Sequence, residues 1–200
     1  MVDSAAQTEV RPPLAWHLQV ARWISIVGHP LAMVPASILV IGAHHLPWSK
    51  TLAILAVVGA ALTVIALYVK AGVRRGQLSD VDLSVRAQRA PTYRVALMLT
   101  GGAYLLQCAL GFASNGPLGA LAVLVPSAVL NHWIKVSLHA AFAVYAAVLV
   151  GLFAPGWLAL FAPAALAVVW SRLALGRHTF PEVVLGACVG AAGAIVTFVS

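Results

Sequence analysis

The sequence predicts an all-α fold, a polytopic transmembrane helical bundle of about six to seven spans, and three observations lead to this prediction. Of the 200 residues, 62% are hydrophobic and only 8% are charged. The mean hydropathy of +0.97 is too high for a water-soluble domain of this length. The apolar residues also lie in stretches close to the ~20 residues that cross a bilayer core. Each stretch is expected to be a helix, because lipid offers no partners to exposed backbone groups.

The apolar stretches follow one another with turn residues between them, as at Ser114-Asn115-Gly116-Pro117 and at Ala154-Pro155-Gly156. The fourth stretch is short and contains Pro126, so a tilt, a kink or a partial re-entry is expected there. We predict seven stretches, at residues 23–43, 51–70, 93–113, 117–132, 137–154, 156–171 and 180–199.

Only residues 71–92 form a sizeable polar loop between these stretches. We therefore divide the chain into an N-terminal cytoplasmic segment, residues 1–22, and a single transmembrane domain, residues 23–200.

The positions of Lys and Arg predict the orientation. With seven spans, every Lys and Arg except Lys50 falls on the same face as the N-terminus. Positive charge near span ends marks the cytoplasmic face. We expect an integral protein of a bacterial inner membrane with its N-terminus in the cytoplasm. The net charge of +7 does not indicate nucleic acid binding, because the basic residues lie between the spans and not along one polar surface.

Polar side chains at the starts of two apolar stretches and in the large loop fall on this same face. Ionisable groups at a membrane boundary are costly and usually have a partner or a function. The residues concerned are Asp80, Asp82, Arg86, Arg89, Lys135, Ser137, His139, Arg172, His178 and Glu182. We expect them to form one active site, on the cytoplasmic side.

The spacing within this set indicates phosphate chemistry. On a helix, His178 and Glu182 are stacked on one side, so the carboxylate can accept one imidazole N–H and leave the other nitrogen as a nucleophile. Arg172 offers a fork of donors that suits phosphate oxygens. Ser137 and His139 lie near a helix N-terminus, which favours an anion.

These motifs resemble those of the PAP2 (type 2 phosphatidic acid phosphatase) superfamily. The pattern Ser-Arg-x5-His-x3-Glu at residues 171–182 resembles its third signature, and Val-Ser-Leu-His at residues 136–139 resembles its second, Pro-Ser-Gly-His. The first, a Lys, six residues, then Arg-Pro, is partly met, since Ala90 separates Arg89 from the proline and Asp82 stands at the Lys position. The resemblance covers roughly residues 80–190 and implies a PAP2-like core.

The resemblance implies a role for each catalytic candidate. His178 would attack phosphorus to form a phosphohistidine, and Glu182 would orient it. His139 would protonate the leaving oxygen and then activate water. The protein would be a metal-independent phosphatase that hydrolyses a phosphate ester or diphosphate of a phospholipid or prenyl lipid.

The resemblance also implies which residues hold the phosphoryl oxygens, namely Arg89, Arg172 and Ser137. Lys135 or Arg86 could replace the missing cation of the first signature. The expected partners are the lipid phosphate substrate and membrane lipids, without nucleic acid, and the sequence predicts no oligomeric state.

Metal chemistry is not expected, and neither is a cofactor. Outside the N-terminal segment the carboxylates are Asp80, Asp82 and Glu182, and there is no His-Glu-x-x-His motif. Two alternatives of function stay open. One is a lipid phosphotransferase that uses the same histidine, and the other is a non-catalytic protein that binds lipid phosphates.

Simpler structural roles are possible for several residues. Asp80 and Asp82 could cap the turn or pair with Arg86 and Arg89, and His178 with Glu182 could be a structural pair at a helix start. His132 lies near the motifs but matches none of them. His29, which precedes Pro30 in the first stretch, is interpreted as a buried hydrogen-bonding residue, and Gly186, Gly190 and Gly193 as positions of close helix packing.

Overall fold

The fold prediction is confirmed in its class. The structure, a computed structural model, describes residues 15–200, and within them it contains helices and no strand. Most of the predicted N-terminal segment, residues 1–14, lies outside the described residues, and helix α1 continues across its predicted end at residue 22. The helices are α1 Trp16–Val27, α2 Pro30–His45, α3 Trp48–Arg74, α4 Arg89–Ala109, α5 Gly116–Leu130, α6 Leu138–Phe153, α7 Leu158–Ala174 and α8 Phe180–Val199.

The first predicted span is broken in its middle. Helices α1 and α2 are bent by 53° at Gly28 and His29. Pro30 begins α2, and the Nδ1 of His29 accepts a hydrogen bond from the Leu31 N–H at 3.1 Å, which caps this helix. Helix α1 instead packs against α7, with Val168 lying against Gly28.

The predicted count of six to seven spans is not confirmed. Within residues 15–200, three segments are long and apolar enough to cross a membrane, Trp48–Arg74, Pro155–Ala174 and Phe180–Val199, and the bent pair α1–α2 counts as a fourth if it is one span. Helices α5 and α6 are apolar but have only 15 and 16 residues. At ~1.5 Å of rise per residue they reach roughly 24 Å, less than the ~30 Å hydrocarbon core.

Contacts between helix termini define two ends of the bundle. At the site end, the starts of α4, α6 and α8 meet, since Arg89 Nη1 donates to the Val136 carbonyl at 2.7 Å and the Ser137 N–H donates to the Glu182 carbonyl at 3.2 Å. At the far end, the Tyr145 hydroxyl lies 3.0 Å from the Gly116 carbonyl and 2.9 Å from Thr197 Oγ1. Helices α2 to α8 therefore run alternately between the two ends.

Helix α6 is the centre of the bundle and packs against α2, α7 and α8. Alanines cover much of its surface, and most of them are buried. Because these side chains are small, neighbouring helices approach its backbone closely. The motif at the start of α6 is thus fixed by packing on several sides.

Candidate active site

Two glycines of α8 bring the second and third motifs together. A Cβ at Gly186 would lie 2.5 Å from the Ser137 carbonyl oxygen, and one at Gly190 would collide with the backbone of Ala141. The prediction that these glycines permit close helix packing is therefore confirmed. Their consequence is that the first turns of α6 and α8 lie side by side, with His139 on one and Glu182 on the other.

The predicted pairing of His178 with Glu182 is confirmed. His178 Nδ1 lies 2.9 Å from Glu182 Oε2, and the same oxygen accepts the Thr179 N–H at 3.1 Å. Glu182 occupies the third position of α8 and forms a capping box with Thr179. The carboxylate therefore caps the helix and orients the imidazole at the same time, so the structural role and the predicted orienting role are compatible.

The His178 ring is neutral at physiological pH. Burial, and to a smaller extent the positive charges of Arg89, Lys135 and Arg172, lower its pKa to about 3, against a smaller opposing effect of the Lys135 carbonyl. The contact with Glu182 is therefore a hydrogen bond of the neutral ring and not an ion pair. With Nδ1–H donated to the carboxylate, Nε2 is the nitrogen with a lone pair for attack.

A third histidine, His29, lies at the site and was not assigned to it from the sequence, whereas His139 was predicted there. His139 lies in the first turn of α6, is buried, and has no hydrogen-bond partner at Nε2 among residues 15–200. The His29 ring lies edge-on to it, with 4.6 Å between the ring centroids. His29 does make the predicted kind of hydrogen bond, to Leu31. The sequence signal for His29 is its place before Pro30 inside an apolar stretch, which marks a possible helix start within the predicted span.

Arg89, predicted to bind phosphoryl oxygens, lines the same cavity as His139 and His178. Its side chain is buried, and its guanidinium donates from Nε to the Leu83 carbonyl at 2.8 Å and from Nη1 to the Val136 carbonyl at 2.7 Å. These two carbonyls hold the guanidinium fixed at the wall of the cavity that also contains His139 and His178.

Arg172, in contrast, does not reach this cavity. It is 1% exposed, donates to Ser25 Oγ at 2.6 Å, and lies 3.6 Å from the Asp82 carboxylate. Asp82 also lies 3.5 Å from Arg177 Nε, so it pairs with Arg172 and Arg177 and not with Arg86 or Arg89. Asp82 lines the cavity and Arg172 does not, so the charge of Arg172 is paired with a residue of the cavity wall.

The other predicted phosphate ligands lie around the cavity and not at its wall. Ser137 is fully buried and caps α6, accepting the Ala140 N–H at 3.5 Å. Lys135 donates to the Arg177 carbonyl at 2.6 Å, and Arg86 donates to the Trp133 carbonyl. These three side chains therefore fix the loops of the site end.

The cavity has a volume of about 720 Å³, within the range of ligand sites. It begins at His139, His178 and Arg89 and extends between α2, α3, α4, α5 and α6 to Asn115 and Thr197 at the far end. Most of its lining is apolar, with charged and imidazole groups gathered near the site end. It can hold a polar group beside the histidines and a long apolar chain behind it.

Residues 15–200 contain no group of three or more His, Cys, Asp or Glu side chains that could hold a metal ion. The side chains that line the site end can instead supply a nucleophile, an acid or base, and a fixed cation.

Comparison with known proteins adds the family. The PAP2 superfamily model matches residues 90–200, more than half of the chain, and this range contains the second and third motifs. The loop with Asp82 and Arg89 lies just before it. No curated protein and no solved structure matches the chain at a significant level.

Proposed function

The chain belongs to the PAP2 superfamily, and from this membership we propose that it is a membrane-embedded phosphatase that hydrolyses a phosphate ester or diphosphate of a lipid. One observation carries the proposal. A buried, neutral His178, oriented by Glu182, faces the same cavity as His139 and the fixed guanidinium of Arg89. A nucleophile, an acid or base and a cation around one space are the parts that phosphoryl transfer needs.

The proposed reaction has two steps. His178 Nε2 attacks phosphorus while the bond to the lipid oxygen breaks, and His139, which takes up a proton when the anionic phosphate is bound beside it, gives that proton to the lipid oxygen. The product is a phosphohistidine. In the second step His139 takes a proton from water, the water oxygen attacks phosphorus, and the N–P bond breaks to release phosphate and restore His178. Neither step uses a metal or a cofactor.

The positive charge around the cavity supports this chemistry. The guanidinium of Arg89 is held by backbone carbonyls before any ligand arrives, so it can stabilise the charge of the transferring group without reorganisation. Lys135 is not at the wall, but its charge acts on His178, since it contributes to the lowered pKa of that ring. The dipole at the start of α8, next to His178, adds a further favourable field.

The position of the cavity supports a lipid substrate. Its apolar part extends from the histidines through the bundle, so the phosphate can lie at the site end while an acyl or prenyl tail lies among apolar side chains. Basic residues are numerous in the loops of the site end, whereas at the far end Lys50 lies in the first turn of α3. We propose that the site end is cytoplasmic, following the positive-inside rule.

The experiment is a phosphate-release screen of the purified protein across phosphatidate, phosphatidylglycerol phosphate and prenyl mono- and diphosphates, with EDTA present. We expect release from at least one lipid and its complete loss in His178→Ala. The control is His132→Ala, which removes an exposed imidazole outside the cavity and should keep turnover. Unchanged turnover in His178→Ala would refute the nucleophile assignment, and phosphate appearing on a second lipid would indicate a phosphotransferase.

A non-catalytic lipid-phosphate binder is the second candidate, because Asp82 neutralises part of the positive charge that the first motif provides in the family. Quenching the protein in alkaline detergent after mixing with a lipid that carries ³²P-phosphate, followed by acid treatment of part of the sample, separates the two candidates. A phosphatase gives labelled protein with the acid lability of a phosphohistidine, and a binder gives none.

A further inference from the structure

The Asp82 carboxylate faces the cavity as a negative charge in an otherwise positive or neutral site. It lies 3.6 Å from Arg172 Nη2 and 3.5 Å from Arg177 Nε, and it lines the same cavity as Arg89, His139 and His178. A phosphate held by Arg89 beside His178 occupies the same cavity as Asp82, and Arg89 Nε donates to the carbonyl of Leu83, the residue that follows Asp82. The site thus presents both an attractive and a repulsive group to an anion.

The loop around Asp82 fixes the carboxylate in this position. Asp80 accepts the Asp82 N–H at 2.9 Å and the Ser84 hydroxyl at 3.1 Å, which closes a tight turn. Leu83, between them, has a φ of 53°, a conformation that a residue with a branched side chain rarely adopts. Its carbonyl accepts from Arg89 Nε, so the turn and the cation of the site are one connected unit.

Arg172 pairs with Asp82 and lies behind the cavity wall. Arg172 is 1% exposed, does not line the cavity, and has no partner at Nε among the described residues. Its charge therefore holds Asp82 in place and does not contact the anion directly.

We propose that Asp82 is a specificity-determining residue, which makes the pocket select a phosphate that carries an acidic P–OH over anions that carry none. This inference rests on the proposed phosphate chemistry of the same cavity. A phosphate monoester in its monoanionic form can donate its P–OH to the carboxylate. A phosphodiester or a sulfate cannot, so its oxygen meets the carboxylate as a like charge and both lose a hydrogen bond.

The consequence for a membrane enzyme is discrimination among headgroups. Most phospholipids around the protein are phosphodiesters, whereas the proposed substrates end in a phosphate with a free P–OH. Among the described residues, the other charged or imidazole side chains that line the cavity are His29, His45, Lys70, Arg89, His139 and His178. The carboxylate of Glu182 does not line the cavity, and its Oε2 is bound by His178 and by the Thr179 N–H. The discrimination is therefore assigned to Asp82.

The test compares inorganic phosphate with sulfate as ligands of the purified full chain, by thermal unfolding at about pH 5.5, where phosphate retains an acidic proton. For the natural sequence we expect an apparent Kd for phosphate at least about tenfold lower than for sulfate, because sulfate leaves the carboxylate without a donor. In Asp82→Asn the amide can donate to either anion, so the two constants should agree within about threefold, mainly through tighter sulfate binding.

Two variants control for loop damage. Asp80→Asn removes one negative charge two residues before Asp82, from the side chain that caps the turn. This variant should lower the melting temperature but keep the preference for phosphate. Asp82→Glu keeps the carboxylate and should keep the preference as well. If Asp82→Asn does not fold, Asp82→Ser replaces it.

Equal binding of phosphate and sulfate by the natural sequence would overturn the proposal. So would a preference that persists in the neutral variants, or the absence of binding of either anion. Because this measurement needs no turnover, a protein that fails to hydrolyse lipids but discriminates the two anions would refute the phosphatase and leave the role of Asp82 supported.

Discussion

His178 is the residue on which the chemistry depends, and its environment keeps it unprotonated. Burial and three nearby cations lower its pKa to about 3, while Glu182 accepts its Nδ1–H. Burial and the cations favour the neutral ring, and the hydrogen bond to Glu182 selects the tautomer whose lone pair is on Nε2. An exposed histidine would have a pKa near 6.5 and would be partly protonated under mildly acidic conditions. The motif spacing identifies the residue, but this protection comes from its neighbours.

This environment predicts the pH dependence of turnover. Protonation of His178 removes the nucleophile, so the acid limb of kcat/KM that belongs to it should lie near pH 3 and not near 6.5. Lys135→Met removes a positive charge that disfavours the imidazolium, which raises the pKa of His178 and moves this limb to higher pH. Lys50→Met, at the far end, should leave it in place. A limb near 6.5, or a downward shift in Lys135→Met, contradicts the prediction.

The same shift links pH to stability. The unfolded chain takes up a proton at its ordinary histidine pKa, whereas the folded chain resists it until about pH 3. The folded state should therefore lose stability as the pH falls below about 6.5, through the contribution of this residue.

At the scale of the elements, the contact of α6 with α8 determines whether the motifs meet. The interface has almost no side chains between the two backbones near the site end, because Gly186 and Gly190 face Ser137 and Ala141. The first turns of the two helices carry His139 and Glu182, and His178 directly precedes α8. An added methyl group at either glycine would push α8 away from α6, which would change both the helix packing and the distance between His139 and His178.

We expect Gly190→Ala to destabilise the protein by about 1–3 kcal/mol, because its Cβ would collide with the Ala141 backbone. It should also lower kcat, since the histidines are moved apart. Gly102→Ala is the matched control. It lies in α4, where an added Cβ meets nothing within 4 Å, so helix propensity should make it neutral or stabilising by up to about 1 kcal/mol. Thermal unfolding in detergent measures both, and equal melting temperatures would show that the close contact is unimportant.

At the scale of the whole molecule, the cavity connects the polar site end with an apolar interior. It is lined by α2, α3 and α4 as well as by the helices that carry the motifs. Helices α2 and α3, which contain none of the family signatures, thus form much of the wall that a lipid tail would contact. We infer that they contribute to chain selection, while α6 and α8 contribute the chemistry.

This division predicts a variant that separates tail binding from phosphate chemistry. Ala61 lines the cavity from α3, so Ala61→Phe should raise the KM for a long-chain lipid phosphate several-fold. It should leave hydrolysis of a short, water-soluble phosphate ester nearly unchanged. Ala60→Phe adds the same ring to an exposed position of the same helix and should affect neither substrate. Equal effects of Ala61→Phe on both substrates would argue against a tail in this cavity.

The sequence by itself determined the helical class, the family and the identity of the central pair. These follow from local quantities: mean hydropathy, stretch length, and a four-residue spacing that places His178 and Glu182 on one side of a helix. The tertiary structure decided which other charges belong to the site. His29 joins it through a break in the first predicted span, whereas Lys135, Arg86 and Ser137 hold loops and a helix start. Long-range packing brings these groups together or keeps them apart, and sequence spacing does not encode such contacts. The pairing of Asp82 with Arg172, across ninety residues of chain, depends on that packing.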